Sequence, residues 1–182
     1  MSSENSSNAN AHKGIYLLPN LLTTAGLFSG FYAIVGSLKG EFEPAAIAIF
    51  VAMIFDGLDG RVARITNTQS KFGAEYDSLA DIVSFGVAPA LVIFSWGLSS
   101  LGKIGWLAAF IYVACAALRL ARFNTQVGNT DKRYFQGLAS PAAAAVIAAG
   151  VWVGVEFDVN GQDWNVLLAI ATVIIALLMV SN

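Results

Sequence analysis

Residues 56–81 read DGLDGRVARITNTQSKFGAEYDSLAD. Five of the chain's twelve acids, Asp56, Asp59, Glu75, Asp77 and Asp81, fall within these 26 residues. Apolar sequence precedes and follows them: 44–55 holds 12 uncharged residues and 82–102 holds 21. Charges in or beside membrane-spanning segments are costly, and by default they mark a functional site. Asp56 and Asp59 are three apart and Asp77 and Asp81 four apart, so each pair shares a helix face. The first pair ends one apolar segment and the second begins the next. A short connection would aim four carboxylates at one another. Glu75 lies on another face from Asp77 and is left out of this group.

The rest of the chain places that stretch in a membrane. Of 182 residues, 57% are hydrophobic and 12% charged, with a mean hydropathy of +0.66. Soluble domains carry roughly 25% charged residues. The spacing of charges leaves 25 uncharged residues between Lys13 and Lys39, 21 between Asp81 and Lys103, and 19 after Asp163. Each is long enough, or nearly so, for the ~20 residues a spanning helix needs. The runs 44–55 and 104–118 are shorter, and span only if their helices continue through Asp56, Asp59 and Arg64, or through Arg119 and Arg122. Residues 141–155 make a sixth segment, and Pro44 and Pro141 suit the first turn of a helix. The expected fold is an all-α integral membrane protein of about six transmembrane helices with a cytoplasm-facing polar cavity. It is read as one domain over 15–182, after a disordered polar tail over 1–14.

Positive charge sets the expected orientation. Lys13, Arg61, Arg64, Lys71, Arg119, Arg122, Lys132 and Arg133 fall on one side, against Lys39 and Lys103 on the other. That bias puts both termini in the cytoplasm. The formal net charge of −2 gives no footprint for nucleic acid. The tail lacks the charge pattern of a signal peptide, and the acceptor motif Asn5-Ser6-Ser7 is read as part of a solvated segment. Cys115 is a small buried hydrophobe and His12 a solvated side chain. The sequence ends inside an apolar helix, which leaves room for a continuation past Asn182.

Four clustered carboxylates repel one another strongly at low dielectric. Divalent cations relieve this, since Mg²⁺ and Mn²⁺ prefer oxygen ligands. Pairing with Arg61, Arg64 and Lys71 is the alternative. Gly57, Gly60, Ala63 and Gly73 surround the acids and leave room for close helix packing or for a flat ligand.

The pattern Asp56-Gly-Leu-Asp59-Gly60-Arg-Val-Ala63-Arg64, eight residues, Gly73-Ala-Glu-Tyr-Asp77-Ser-Leu-Ala-Asp81 resembles the signature of the CDP-alcohol phosphotransferases, with every signature position matched. The resemblance implies a core of six helices. It implies that Asp56, Asp59, Asp77 and Asp81 hold two metal ions and that Asp81 doubles as catalytic base. Gly60, Ala63 and Gly73 would line the nucleotide pocket of the CDP-lipid, and Arg64 would help hold the site or its phosphates.

Two further stretches, Ala117-Leu-Arg119-Leu-Ala-Arg122-Phe-Asn124 and Gly137-Leu-Ala-Ser-Pro141-Ala-Ala-Ala-Ala145, are similar to the bacterial and yeast type of phosphatidylserine synthase within that family. An arginine pair three apart can clamp a carboxylate or phosphate. Arg119, Arg122 and Asn124 are therefore candidates for binding serine or a phosphate, with snorkelling to headgroups the alternative for the arginines. The implied reaction moves a phosphatidyl group from CDP-diacylglycerol to L-serine, giving phosphatidylserine and CMP, in a bacterial inner membrane. Glycerol 3-phosphate or inositol phosphate as acceptor, and an ion-coupled transporter, are the competing readings. The charges stop at one interface, which disfavours transport. A homodimer is the default expectation for assembly.

Overall fold

The computed structural model describes the backbone of residues 4–126 and 137–181, with side chains from Leu17 onward. Six long helical segments follow one another: α1 (Glu4–Leu38), α2 (Phe42–Ile65), α3 (Lys71–Leu101), α4 (Lys103–Gln126), α5 (Ser140–Glu156) and α6 (Asn165–Val180). Among the described residues there is no strand. Four helical stretches, Leu17–Leu38, Lys71–Leu101, Lys103–Thr125 and Gly161–Val180, are long and apolar enough to cross a membrane, and Ser140–Glu156 is a shorter apolar helix. α2 has the length, and its last turns carry the charges of Asp56, Asp59, Arg61 and Arg64. Both short apolar runs continue into charged sequence as expected, α2 to Ile65 and α4 to Gln126.

The helix α1 begins at Glu4, within the polar tail. Once the apolar part of a helix is fixed, each added residue brings one backbone hydrogen bond without a new nucleus.

The core is built from small side chains. Ala33, Ala45, Ala46, Ala52, Ala88, Ala116, Ala143, Ala144 and Ala148 are all fully or almost fully buried. Phe28, Phe31, Ile54, Trp106, Leu118, Leu167 and Leu177 point outward. Lipid gives no hydrophobic drive for helices to associate, so close backbone packing through small residues does that work. α1 approaches α3 closely. A Cβ built on Gly30 would meet Ser84 Oγ at 2.5 Å and its Cα at 2.7 Å. Nearby, the Ser84 hydroxyl donates to the Gly26 carbonyl at 3.2 Å.

α3 is not uniform. Its first part, Lys71–Asp81, is α-helical; Ile82–Val87 then widens into a π turn, and a second follows at Phe94–Leu98. The buried Tyr112 hydroxyl of α4 donates to the Phe85 carbonyl inside the first of these, at 3.2 Å. Such turns are rare and often sit at functional sites.

The two ends of the bundle are held differently. At one end Trp96 fills space left by Gly154 and Gly161, where an added Cβ would lie 2.5 Å and 2.7 Å from the indole. Gln162 there donates to Ser99 Oγ at 2.9 Å and to the Trp96 carbonyl at 3.3 Å. The opposite end gathers the start of α1, the end of α2, the start of α3, the end of α4 and the start of α5. Gly30→Ala is expected to lower stability by about 1–3 kcal/mol through overpacking against Ser84. Gly150→Ala, where no neighbour lies within 4 Å, should be neutral or up to ~1 kcal/mol stabilising. Thermal unfolding of the detergent-solubilised chain compares the two.

Candidate active site

The turn joining α2 to α3 spans only residues 66–70, and Ser70 caps α3 by accepting from Gly73 N–H at 2.9 Å. This short connection folds the two acid-bearing helix ends against each other. Asp56, Asp59 and Asp77 each offer a carboxylate oxygen within 4.8 Å of the others. Asp81, one turn beyond Asp77, lines the same cleft as Asp56. All four predicted aspartates therefore meet in one cleft, which Thr23, Gly26, Ala80 and Ser84 also line. Glu75 is exposed and stands apart.

Two carboxylates about 4–5 Å apart repel by about 3–4 kcal/mol at an effective dielectric of 20. Asp59 is only 4% exposed, so water does little to relieve this. Arg64 turns its Nε to the Gly60 carbonyl at 2.9 Å. An all-oxygen donor set with this charge suits a hard divalent cation. The residues present thus fit a metal site formed jointly by α2 and α3.

Beside the carboxylates opens a cavity of about 290 Å³, lined by Asn20, Thr23, Asp59, Gly60, Ala63, Arg64, Gly73 and Asp77 among others. Gly60, Ala63, Arg64 and Gly73, which the family resemblance assigned to the nucleotide pocket, all line this cavity. Gly57 and Gly60 face space and not a neighbouring helix, whereas Gly73 lies close to Ser70 and to Asn20 of α1. A Cβ on Gly57 would have nothing within 4 Å, and one on Gly60 would meet only the end of Arg64 at 4.0 Å. At Gly60, which lines the cavity, the packing supports room for a ligand over close helix contact.

On the other flank of the carboxylates lies α4. Arg119 donates from Nη1 to Ser140 Oγ at 3.1 Å, and its Nε is buried with no hydrogen-bond partner. It is near enough to Asp81 for the two charges to interact. Asn124 donates from Nδ2 to Ser78 Oγ at 2.9 Å, next to Asp77 in the chain. Arg122, one turn from Arg119, is exposed. Lys132 and Arg133 lie outside the described residues.

Several residues of the site were not anticipated from sequence. Thr23 donates to Asp59 Oδ2 at 2.6 Å, and Asn20, three residues earlier, lines the cavity near Gly73. The only advance signal was a pair of polar residues one turn apart near the start of the first apolar span. Ser78 and Ser140 were hidden inside motifs read for their charged members.

Asp56→Asn, Asp59→Asn and Asp77→Asn are each expected to weaken binding of Mn²⁺ at least tenfold while leaving membrane insertion intact. Electron paramagnetic resonance of free Mn²⁺ over the purified variants checks this. Unchanged affinity in any of them removes that residue from the ion site.

Comparison with known proteins bears on the same residues. The pattern of the CDP-alcohol phosphatidyltransferase family matches residues 16–180. The CDP-diacylglycerol–serine O-phosphatidyltransferase of Helicobacter pylori (strain ATCC 700392 / 26695) is 39% identical over 168 residues, covering 92% of this chain and 71% of that protein. The Saccharomyces cerevisiae protein of the same name is 40% identical over 158 residues, covering 78% of this chain and 56% of its own. The archaetidylserine synthase of Methanothermobacter thermautotrophicus is 36% identical over 167 residues, with 91% and 67% covered. With a match that runs from α1 to the end of α6 and takes in the whole acidic cleft, this chain belongs to the CDP-alcohol phosphatidyltransferase family.

Proposed function

We propose that the chain transfers the phosphatidyl group of CDP-diacylglycerol to L-serine, releasing CMP and leaving phosphatidylserine. The observation that carries this is the position of the four aspartates, between an open cavity on α1–α3 and a polar flank on α4 and α5. Relatives that share most of the chain are named as serine phosphatidyltransferases.

The cavity is the donor side. Gly60, Ala63 and Gly73 leave a flat wall for the cytidine, and Arg64 reaches the phosphates from the same wall. Asp56, Asp59, Asp77 and Asp81 would hold two divalent ions, Mg²⁺ or Mn²⁺. When bound, the ions neutralise the pyrophosphate and stabilise charge on the attacking and departing oxygens. Asp81 lies deepest along α3 and nearest Arg119, which suits it to take the serine hydroxyl proton. The serine oxygen then forms a bond to the lipid-bearing phosphorus. The bond from that phosphorus to the bridging oxygen breaks, and CMP leaves with the electron pair.

The acceptor side is α4 with the start of α5. Arg119 retains an unpartnered buried Nε, a donor that a carboxylate would satisfy. Serine carries a carboxylate, whereas inositol does not. Asn124 and Arg122 lie one to two turns further along the same helix. The eight basic residues counted on one side of the sequence support a cytoplasmic position for this end of the bundle and for both termini. A bacterial inner membrane is the matching location.

Two measurements test the reading. Gly60→Leu should abolish binding of CDP-diacylglycerol in a folded protein, because the side chain enters the cavity. Retained nucleotide binding would assign the glycine to helix packing. With labelled CDP-diacylglycerol and a panel of serine, glycerol 3-phosphate, inositol and inositol phosphate, serine should be the preferred acceptor. In the same assay Arg119→Gln should raise the serine KM roughly tenfold or more, the worth of a hydrogen bond to a charged group. Its KM for the donor should hold. Preference for another alcohol overturns the acceptor assignment and leaves the family chemistry standing.

A further inference from the structure

Thr23 lies on α1, outside the stretch that carries the acidic pattern, and is 5% exposed. Its hydroxyl has one proton and two acceptors within reach. The Pro19 carbonyl, four residues back on the same helix, is 3.1 Å away, and Asp59 Oδ2 is 2.6 Å away. A threonine inside a helix commonly bonds to the carbonyl four residues back, and that contact alone would make Thr23 an ordinary helix residue. The distance to Asp59 decides otherwise. At 2.6 Å it is within the 2.5–2.7 Å range of a hydroxyl donating to a carboxylate, and such bonds are about twice as strong as neutral ones.

Thr23 also sits where two spaces meet. It lines both the 290 Å³ cavity and the acidic cleft. Asp59, its partner, is the most buried of the four aspartates and one of the three whose oxygens lie within 4.8 Å of one another. Its carboxylate can turn about its own side-chain bonds. Holding Oδ2 from α1 restricts that rotation.

We propose that Thr23 is a positioning residue for the cation site: its hydroxyl orients the Asp59 carboxylate, so that α1 takes part in metal binding without supplying a ligand. This rests on the reading of Asp59 as a ligand. Partners of this kind commonly contribute 10- to 100-fold in metal affinity.

The test uses the full chain, purified in detergent, titrated with Mn²⁺ alone and followed by electron paramagnetic resonance. Thr23→Val keeps the shape and removes the hydroxyl; Thr23→Ser keeps the hydroxyl and removes the methyl. Thr23→Val should bind Mn²⁺ about 10- to 100-fold more weakly, while Thr23→Ser stays close to the parent chain. Turnover should follow the same order: Thr23→Val should need more Mn²⁺ for half-maximal rate, with kcat largely restored at saturating metal. A purely structural threonine would not give that separation. If Thr23→Val binds Mn²⁺ like the parent while Asp59→Asn does not, the positioning role is overturned and the ligand stands. If Asp59→Asn also binds normally, the ligand assignment falls and takes the positioning role with it. Should Thr23→Val be recovered unfolded, Thr23→Ala replaces it, and Mn²⁺ affinity equal to that of Thr23→Ser overturns the proposal.

Discussion

Carboxylates crowded at the edge of a membrane are the constraint around which this bundle is built. Bringing Asp56, Asp59 and Asp77 within 4.8 Å of one another opposes folding unless something compensates. The local structure supplies several aids. The turn between α2 and α3 is short enough to leave the pairs no other place to point, and Ser70 fixes where α3 begins. Thr23 donates to one carboxylate from a third helix. The remaining negative charge is left for a cation, which couples the stability of this end of the protein to the ion it uses.

Glycine serves opposite purposes at different positions in this bundle. Gly30 lets α1 lie almost on the backbone of α3, and Gly154 and Gly161 admit the Trp96 ring. Those positions are filled. Gly57 and Gly60 are the same residue type in helical sequence, yet they face empty space. A sequence shows only that a side chain is missing. Whether the vacated volume belongs to a neighbour or stays open is a property of the packing, and it differs from one glycine to the next.

Much of the site was legible because membranes punish misplaced charge. Four aspartates spaced three and four apart beside apolar runs have few innocent explanations, and the spacing alone gave their faces. The continuation of α2 and α4 through charged residues followed from the length a span requires. What stayed hidden depends on contacts distant in sequence. Thr23 and Asp59 are separated by 36 positions, and Ser78 and Asn124 by 46. Nothing in a hydroxyl's local context announces such a partner. The π turn after Asp81 is also invisible to a reading based on a period of 3.6, and so is the buried Tyr112 hydroxyl that meets it. The helical start at Glu4 ran against composition, since serine and asparagine are weak helix formers.

Every residue that lines the 290 Å³ cavity falls between Pro19 and Asp77, within the first three helices and the turn that joins α2 to α3. The side chains on the far flank of the aspartates, Arg119, Asn124 and Ser140, all come later in the chain. The two faces of the cleft are thus encoded in consecutive, non-interleaved blocks of the gene. The later block can change one codon at a time without altering any residue that lines the cavity. A protein built in this order is suited to diversify on one side of its chemistry while conserving the other.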